Sequence, residues 1–212
     1  MSSAQEKILN MVAAGKVSAA EGDELLKALR PEEPSFWRFV FQPASRLGLG
    51  ASLALGAGAS VGMLMLSRLG VAFDGAVDVH VQPAAVSWPV AVAQVFIAWP
   101  LVTLVFWLTA RIAGKPCRLM DMLGAVGIAR LAFLLVGLTT LPLKGLELTR
   151  VPHATEFVAI LGGLLLLIWA FTLLCTGFRT VTGLRQGRLA GSFIAALVVA
   201  EVCSKLLLAL IP

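Results

Sequence analysis

Arg130, Glu201 and Lys205 stand where ionisable side chains are rarest, inside long apolar runs of a 212-residue chain. Arg130 follows Leu119, the start of its run, by eleven residues, and Glu201 follows Ala190 by the same interval. At about 1.5 Å per helical residue each rises roughly 16 Å, so the two share a depth. A lone charge there costs between about 2.5 and about 17 kcal/mol depending on the scale, and opposite charges facing each other remove much of that cost. Lys205 lies four residues after Glu201, on the same helical face and in the favourable order for a pair. The spacing predicts an interior cluster of Arg130, Glu201 and Lys205. Two roles stay open for it: a polar site for an ion, proton or lipid headgroup, or a structural ion pair that fixes helix register.

Other reactive residue types carry less. Asp74, Asp78 and His80, with His153 and Glu156 further on, could meet around a cation, but their spacing follows no ligand signature and no metal is expected. Cys117, Cys175 and Cys203 are far apart with no CxxC, which supports neither a disulfide framework nor a zinc site; they read as small apolar fillers. Asp121 sits where it helps a helix N-terminus. GxSxG, Walker, HExxH and paired-carboxylate patterns are all missing from the sequence, so neither an enzyme nor a cofactor is expected.

The elements that must position these residues are five stretches of bilayer-crossing length, at 47–66, 88–113, 119–143, 156–178 and 190–211. With 58% apolar residues, 14% charged and mean hydropathy +0.90, the chain is far from soluble composition, and an all-α, five-span membrane bundle follows. The net charge of +5 is scattered between apolar runs rather than gathered in a groove, which points to anionic lipid headgroups and away from nucleic acid. Small residues four apart in the first span, Ala54, Gly58 and Gly62, predict close helix packing there. Pro100 removes a backbone donor near the middle of the second span and predicts a kink.

Basic residues fix an expected orientation. Lys7, Lys16, Lys27, Arg30, Arg38, Arg46, Arg111, Lys115, Arg118, Arg179, Arg185 and Arg188 fall on one side, against Arg68, Lys144 and Arg150 on the other. By the positive-inside rule the N-terminus is cytoplasmic and the C-terminus external, in a cell inner membrane. Residues 1–30 are mixed and charged, unlike a secretory signal, so the first span is expected to remain as an uncleaved anchor.

Ahead of the 47–212 membrane domain, residues 1–34 read as a helical hairpin with a proline connector. Ile8, Met11 and Val12 on one helix and Leu25, Leu26 and Leu29 on the next recur at helical spacing, giving two stripes that face each other. Gly15 suits a helix end, Ser18 and Glu21 match a capping box, and Pro31 stops the second helix. So small a unit needs a partner surface: most simply a second copy through Ile8, Val12, Leu25 and Leu29, alternatively a protein partner or its own membrane domain, on which the hairpin would rest. Residues 35–46 interleave aromatics with arginines, and Trp37, Arg38 and Arg46 are expected at headgroup depth.

The run EKILNMVAAGKVSAAEGDELLKAL resembles the SHOCT-like bacterial helical hairpin, which implies oligomerisation or docking and no activity. From about Trp88 onward, FWLTARIAGKPCRLMDMLGAVGIARLAFLL and IWAFTLLCTGFRTVTGLRQGRLAGSFIAAL resemble the Yip-type membrane family, whose eukaryotic members are named for interaction with Rab/Ypt GTPases. The DLYGP-type signature of those members is absent, and a chain without Tyr cannot carry it. The resemblance therefore implies a role in membrane organisation or trafficking without Rab binding. The first expectation is a non-enzymatic, self-associating membrane organiser with lipids as partners; the alternative is a small transporter, channel or lipid-handling protein using the Arg130 cluster.

Overall fold

The computed structural model describes residues 3–29, 36–144 and 153–210. The chain divides into two compact units, Met1–Phe36 and Trp37–Pro212. In the first, α1 (Ser3–Ala13) and α2 (Ala19–Leu29) form the expected hairpin. Gly15 takes φ +67° at the turn. Ser18 Oγ accepts from the Glu21 N–H at 3.2 Å, and Glu21 Oε2 accepts from the Ser18 N–H at 3.0 Å, closing the capping box. The Ser18 hydroxyl also donates to Glu21 Oε2 at 2.7 Å, and this bond, with that from the Ser18 N–H, holds the Glu21 carboxyl below the usual carboxylate range. The helices meet with Val12 lying on Gly22, where any side chain would collide with it. Ile8 and Val12 are half-buried, whereas Leu25 is 43% exposed and so is Leu9. The two stripes therefore do not close fully on each other. The side chain of Leu29 lies outside the described residues.

The second unit opens with α3 (Phe36–Phe41), where Trp37 stacks on Phe41 at 6.0 Å and both rings are exposed. Arg46 is exposed too; the side chain of Arg38 is outside the described residues. Trp169 Nε1 donates to the Val40 carbonyl at 2.9 Å and Thr176 Oγ1 to that of Phe41 at 2.9 Å, tying α3 to the fourth span.

Five helical rods follow, each long and apolar enough to cross a membrane. They are α4 (Leu49–Arg68); a composite of α5 (Trp88–Val92), a π-helical turn (Ala93–Ile97) and α6 (Ala98–Ile112); α7 (Leu119–Thr140); α8 (Ala154–Thr182); and α9 (Gln186–Ala209). The sequence-predicted spans match these rods with ends shifted by a few residues, the largest shifts being four, at the end of α8 and the start of α9. Between α4 and α5 a two-stranded ribbon forms from β1 (Val71–Ala72) and β2 (His80–Val81), pairing antiparallel. It is the one strand pairing among the described residues. Val71, Ala72 and Phe73 are buried, so this loop turns inward and is anchored in the core.

α7 is the central rod: it packs against α4, α8 and α6, while α9 packs mainly on α6. Phe106, Phe178 and Phe193 lock α6, α8 and α9 together, with Phe106 edge-on to the other two at 5.5 and 5.9 Å. Where α4 crosses α7 the backbones nearly touch. A Cβ on Gly56 would lie 2.8 Å from the Gly127 Cα and 2.6 Å from the Trp99 ring, which wedges against both glycines. Small residues do bring α4 close to a neighbour, but on a different face from the one expected. Ala54 and Gly58 point away from the bundle, with nothing within 4 Å of the Gly58 position, whereas Gly62 does meet α7, where a Cβ would lie 2.9 Å from the Leu134 side chain. The packing face runs through Ser52, Gly56, Ser60, Met63 and Ser67.

Candidate functional site

Arg130 lies midway along α7 and is 7% exposed. Its Nε donates to Ser60 Oγ at 2.9 Å and its Nη2 to the Val95 carbonyl at 2.6 Å. The Trp99 ring covers the guanidinium at 5.8 Å. Both acceptors have a cause in the sequence. Ser60 turns its own hydrogen back onto the Gly56 carbonyl, which presents a lone pair to the arginine. Val95 sits in the π-helical turn, and Pro100 has no N–H to offer a carbonyl four or five residues back. The arginine thus satisfies backbone that the proline leaves open. The irregularity expected at Pro100 appears one turn before it, as this π segment.

The expected three-residue cluster divides in two. Among the described residues no carboxylate lies within ion-pair distance of Arg130. Glu201 and Lys205 do come together at 3.4 Å, but they face the loop between α4 and α5. Glu201 Oε2 accepts from the Ala76 and Val77 N–H groups at 2.8 and 3.2 Å, and Lys205 Nζ reaches Asp78 Oδ2 at 2.8 Å. Gly75 permits this clamp, since a side chain there would overlap the Glu201 carboxylate. The equal-depth argument fails because α9 begins at Gln186. Glu201 is then fifteen residues, roughly 22 Å, from its helix start, against eleven residues and roughly 16 Å for Arg130. Nor does α9 pack on α7 to any extent.

Between Arg130 and the clamped loop lies a cavity of about 20 Å³. Gln94, 3% exposed, lines it with Arg130, Phe73, Phe133 and the Gly75–Val79 backbone segment. Gln94 and Ser60 escaped the sequence reading, although a Gln inside an apolar span and serines recurring on one face of a glycine-rich helix were visible signals.

At the cavity's edge, where Asp78 is part of the lining, Asp74, Asp78 and His80 do meet, with ligand atoms within 4.8 Å of one another. His80 Nδ1 lies 3.4 Å from a carboxylate oxygen of each. His153 and Glu156 stay apart from them: the His153 N–H donates to Glu156 Oε2 at 2.7 Å and starts α8. Burial alone would raise the Asp78 carboxyl, but the Lys205 ammonium and the His80 ring outweigh it and hold the group below the usual carboxylate range. A folded value below the unfolded one contributes stability at neutral pH that is lost as pH falls through the acid range under about 4. Asp78→Asn is therefore expected to flatten the acid limb of the melting temperature measured against pH. An acid limb identical to wild type would show that the clamp contributes nothing.

Residues 23–205 match the Yip1 domain. The chain belongs to the Yip1 family. Residues 5–34 match the SHOCT-like domain, so the hairpin and the membrane unit each have relatives, and the two matches overlap at 23–34. No curated protein and no solved structure matches the chain. The Yip1 match takes in every described feature of the Arg130 cavity and the Glu201 clamp, and it makes the chain a multi-pass membrane protein of a generally non-enzymatic, membrane-trafficking family. Within the Yip1 domain, cation–π contacts pair Arg68 with Trp88 at one end of the rods and Arg111 with Trp107 at the other.

Proposed function

We propose that this Yip1 protein organises or recruits at the cell inner membrane, its N-terminus cytoplasmic, by self-association through the SHOCT-like hairpin. The observation that carries the reading is a hairpin that forms a unit of its own yet leaves Leu9 and Leu25 each 43% exposed. Two helices of eleven residues cannot bury a sufficient core alone, and a second copy supplies the missing surface most simply. The outward Ala54 and Gly58 face of α4 offers a further place for close approach within the membrane. The permeation alternative loses support: its Arg130, Glu201 and Lys205 cluster is divided, and a cavity of about 20 Å³ has room for one water-sized species. The basic residues flanking the rods, together with the exposed Trp37 and Arg46, fit anionic lipid as the surrounding partner.

Reconstituted wild type is expected to crosslink as oligomers in the membrane, and a chain lacking residues 1–34 to crosslink as monomer. Equal crosslinking of the two would remove the hairpin from assembly and overturn this reading.

A further inference from the structure

We propose that the cavity beside Arg130 binds one small monovalent anion, a halide, held by Arg130 and Gln94. A count of donors leads there. The guanidinium has five N–H groups, and among the described residues it spends one on Ser60 and one on Val95. Gln94 accepts the Phe73 N–H through Oε1 at 3.4 Å, which turns its Nε2 the other way with no protein acceptor. The buried side-chain polar atoms that lack both a partner and open space are Asp74 Oδ1 and Ser204 Oγ. Nη1 of Arg130 and Nε2 of Gln94 are not among them, so each borders open space, and the cavity is the space both residues line.

The surroundings select the ligand's sign and size. Asp78 is the one carboxylate on the lining, and its oxygens are engaged by Lys205 and His80. The Ala76 and Val77 N–H groups are taken by Glu201. Most of the other lining side chains are apolar, including Phe73 and Phe133, whose ring edges carry positive potential. A volume of about 20 Å³ is room for a single small particle, which favours a monatomic anion over phosphate or a carboxylate ligand. Water would satisfy the donors and leave the charge uncompensated; a halide does both, which in a lipid-surrounded bundle is the larger effect. The Gly75–Val79 segment forms the wall of the cavity on the side of the α4–α5 loop.

The test uses the full chain, purified in detergent in gluconate, with chloride or bromide replacing gluconate at constant ionic strength. The melting temperature is expected to climb with the logarithm of halide concentration, by roughly 5–10 °C at a hundredfold excess over Kd. Bromide should narrow a chloride-35 NMR line that wild type broadens. Gln94→Leu and Arg130→Gln are each expected to lose the climb, and Arg179→Gln, far along α8, to retain it. Wild type that melts alike in gluconate and halide and broadens no chloride line would show that the cavity holds a single water, and the proposal fails. It fails equally if Gln94→Leu keeps the full response, since the halide then acts elsewhere. Should either variant not fold, the chloride line of wild type decides alone.

Discussion

Exchanging the two intramembrane charges, Arg130→Glu together with Glu201→Arg, is expected to abolish folding of the membrane unit. A direct ion pair would tolerate the exchange, because Coulomb attraction is indifferent to which partner carries which sign. The partners found are not indifferent. Arg130 donates to the Val95 carbonyl, and a shorter carboxylate there would leave that acceptor unpaired with a buried negative group beside it. Glu201 accepts from two backbone N–H groups, and a guanidinium in its place would meet donors with donors, next to Lys205. Each misplaced ion costs several kcal/mol, and two cost on the order of 5 kcal/mol or more, comparable with the whole stability of a domain. Size-exclusion profiles and thermal melts of the double variant measure this directly. A double variant as stable as wild type, with both single variants unstable, would restore the pairing that the sequence suggested.

Gly56→Val should be nearly as damaging, and Gly58→Val should be silent. The new Cβ at position 56 would press on Trp99 at 2.6 Å and on the Gly127 backbone at 2.8 Å, and neither can withdraw. Trp99 is held by its Nε1 hydrogen bond to the Leu123 carbonyl at 3.1 Å, and Gly127 is part of the central rod. Overpacking of this kind costs upwards of about 3 kcal/mol where backbone must move. Position 58 meets nothing within 4 Å, so a valine there stays within about 0.5 kcal/mol in the monomer. Melting temperatures of the two variants compare the two faces of α4. Equal losses would mean that α4 packs on the face carrying Ala54 and Gly58.

The five rods were legible because hydrocarbon thickness imposes one length on every span, and that constraint is local to each run of sequence. The hairpin was legible for a similar reason: Gly15, Ser18 and Glu21 act within a turn of where they stand. Rotation and axial offset of the rods were not. A shift of four residues at the start of α9 moves Glu201 by roughly 6 Å, enough to trade Arg130 for the loop at Ala76. Likewise Ala54, Gly56 and Gly58 offer small residues on two faces of one helix, and only the neighbours decide which face is used. Arg130 was correctly singled out as costly, but its partners are a serine hydroxyl and a backbone carbonyl, groups that no charge pattern announces.

The bonds from Trp169 and Thr176 to α3 give the chain's first aromatic segment a second attachment, besides its covalent continuation into α4. A pull on Trp37 is thus divided between two rods that are more than a hundred residues apart in sequence. α8 packs against α7, so this second anchorage leads directly into the middle of the bundle.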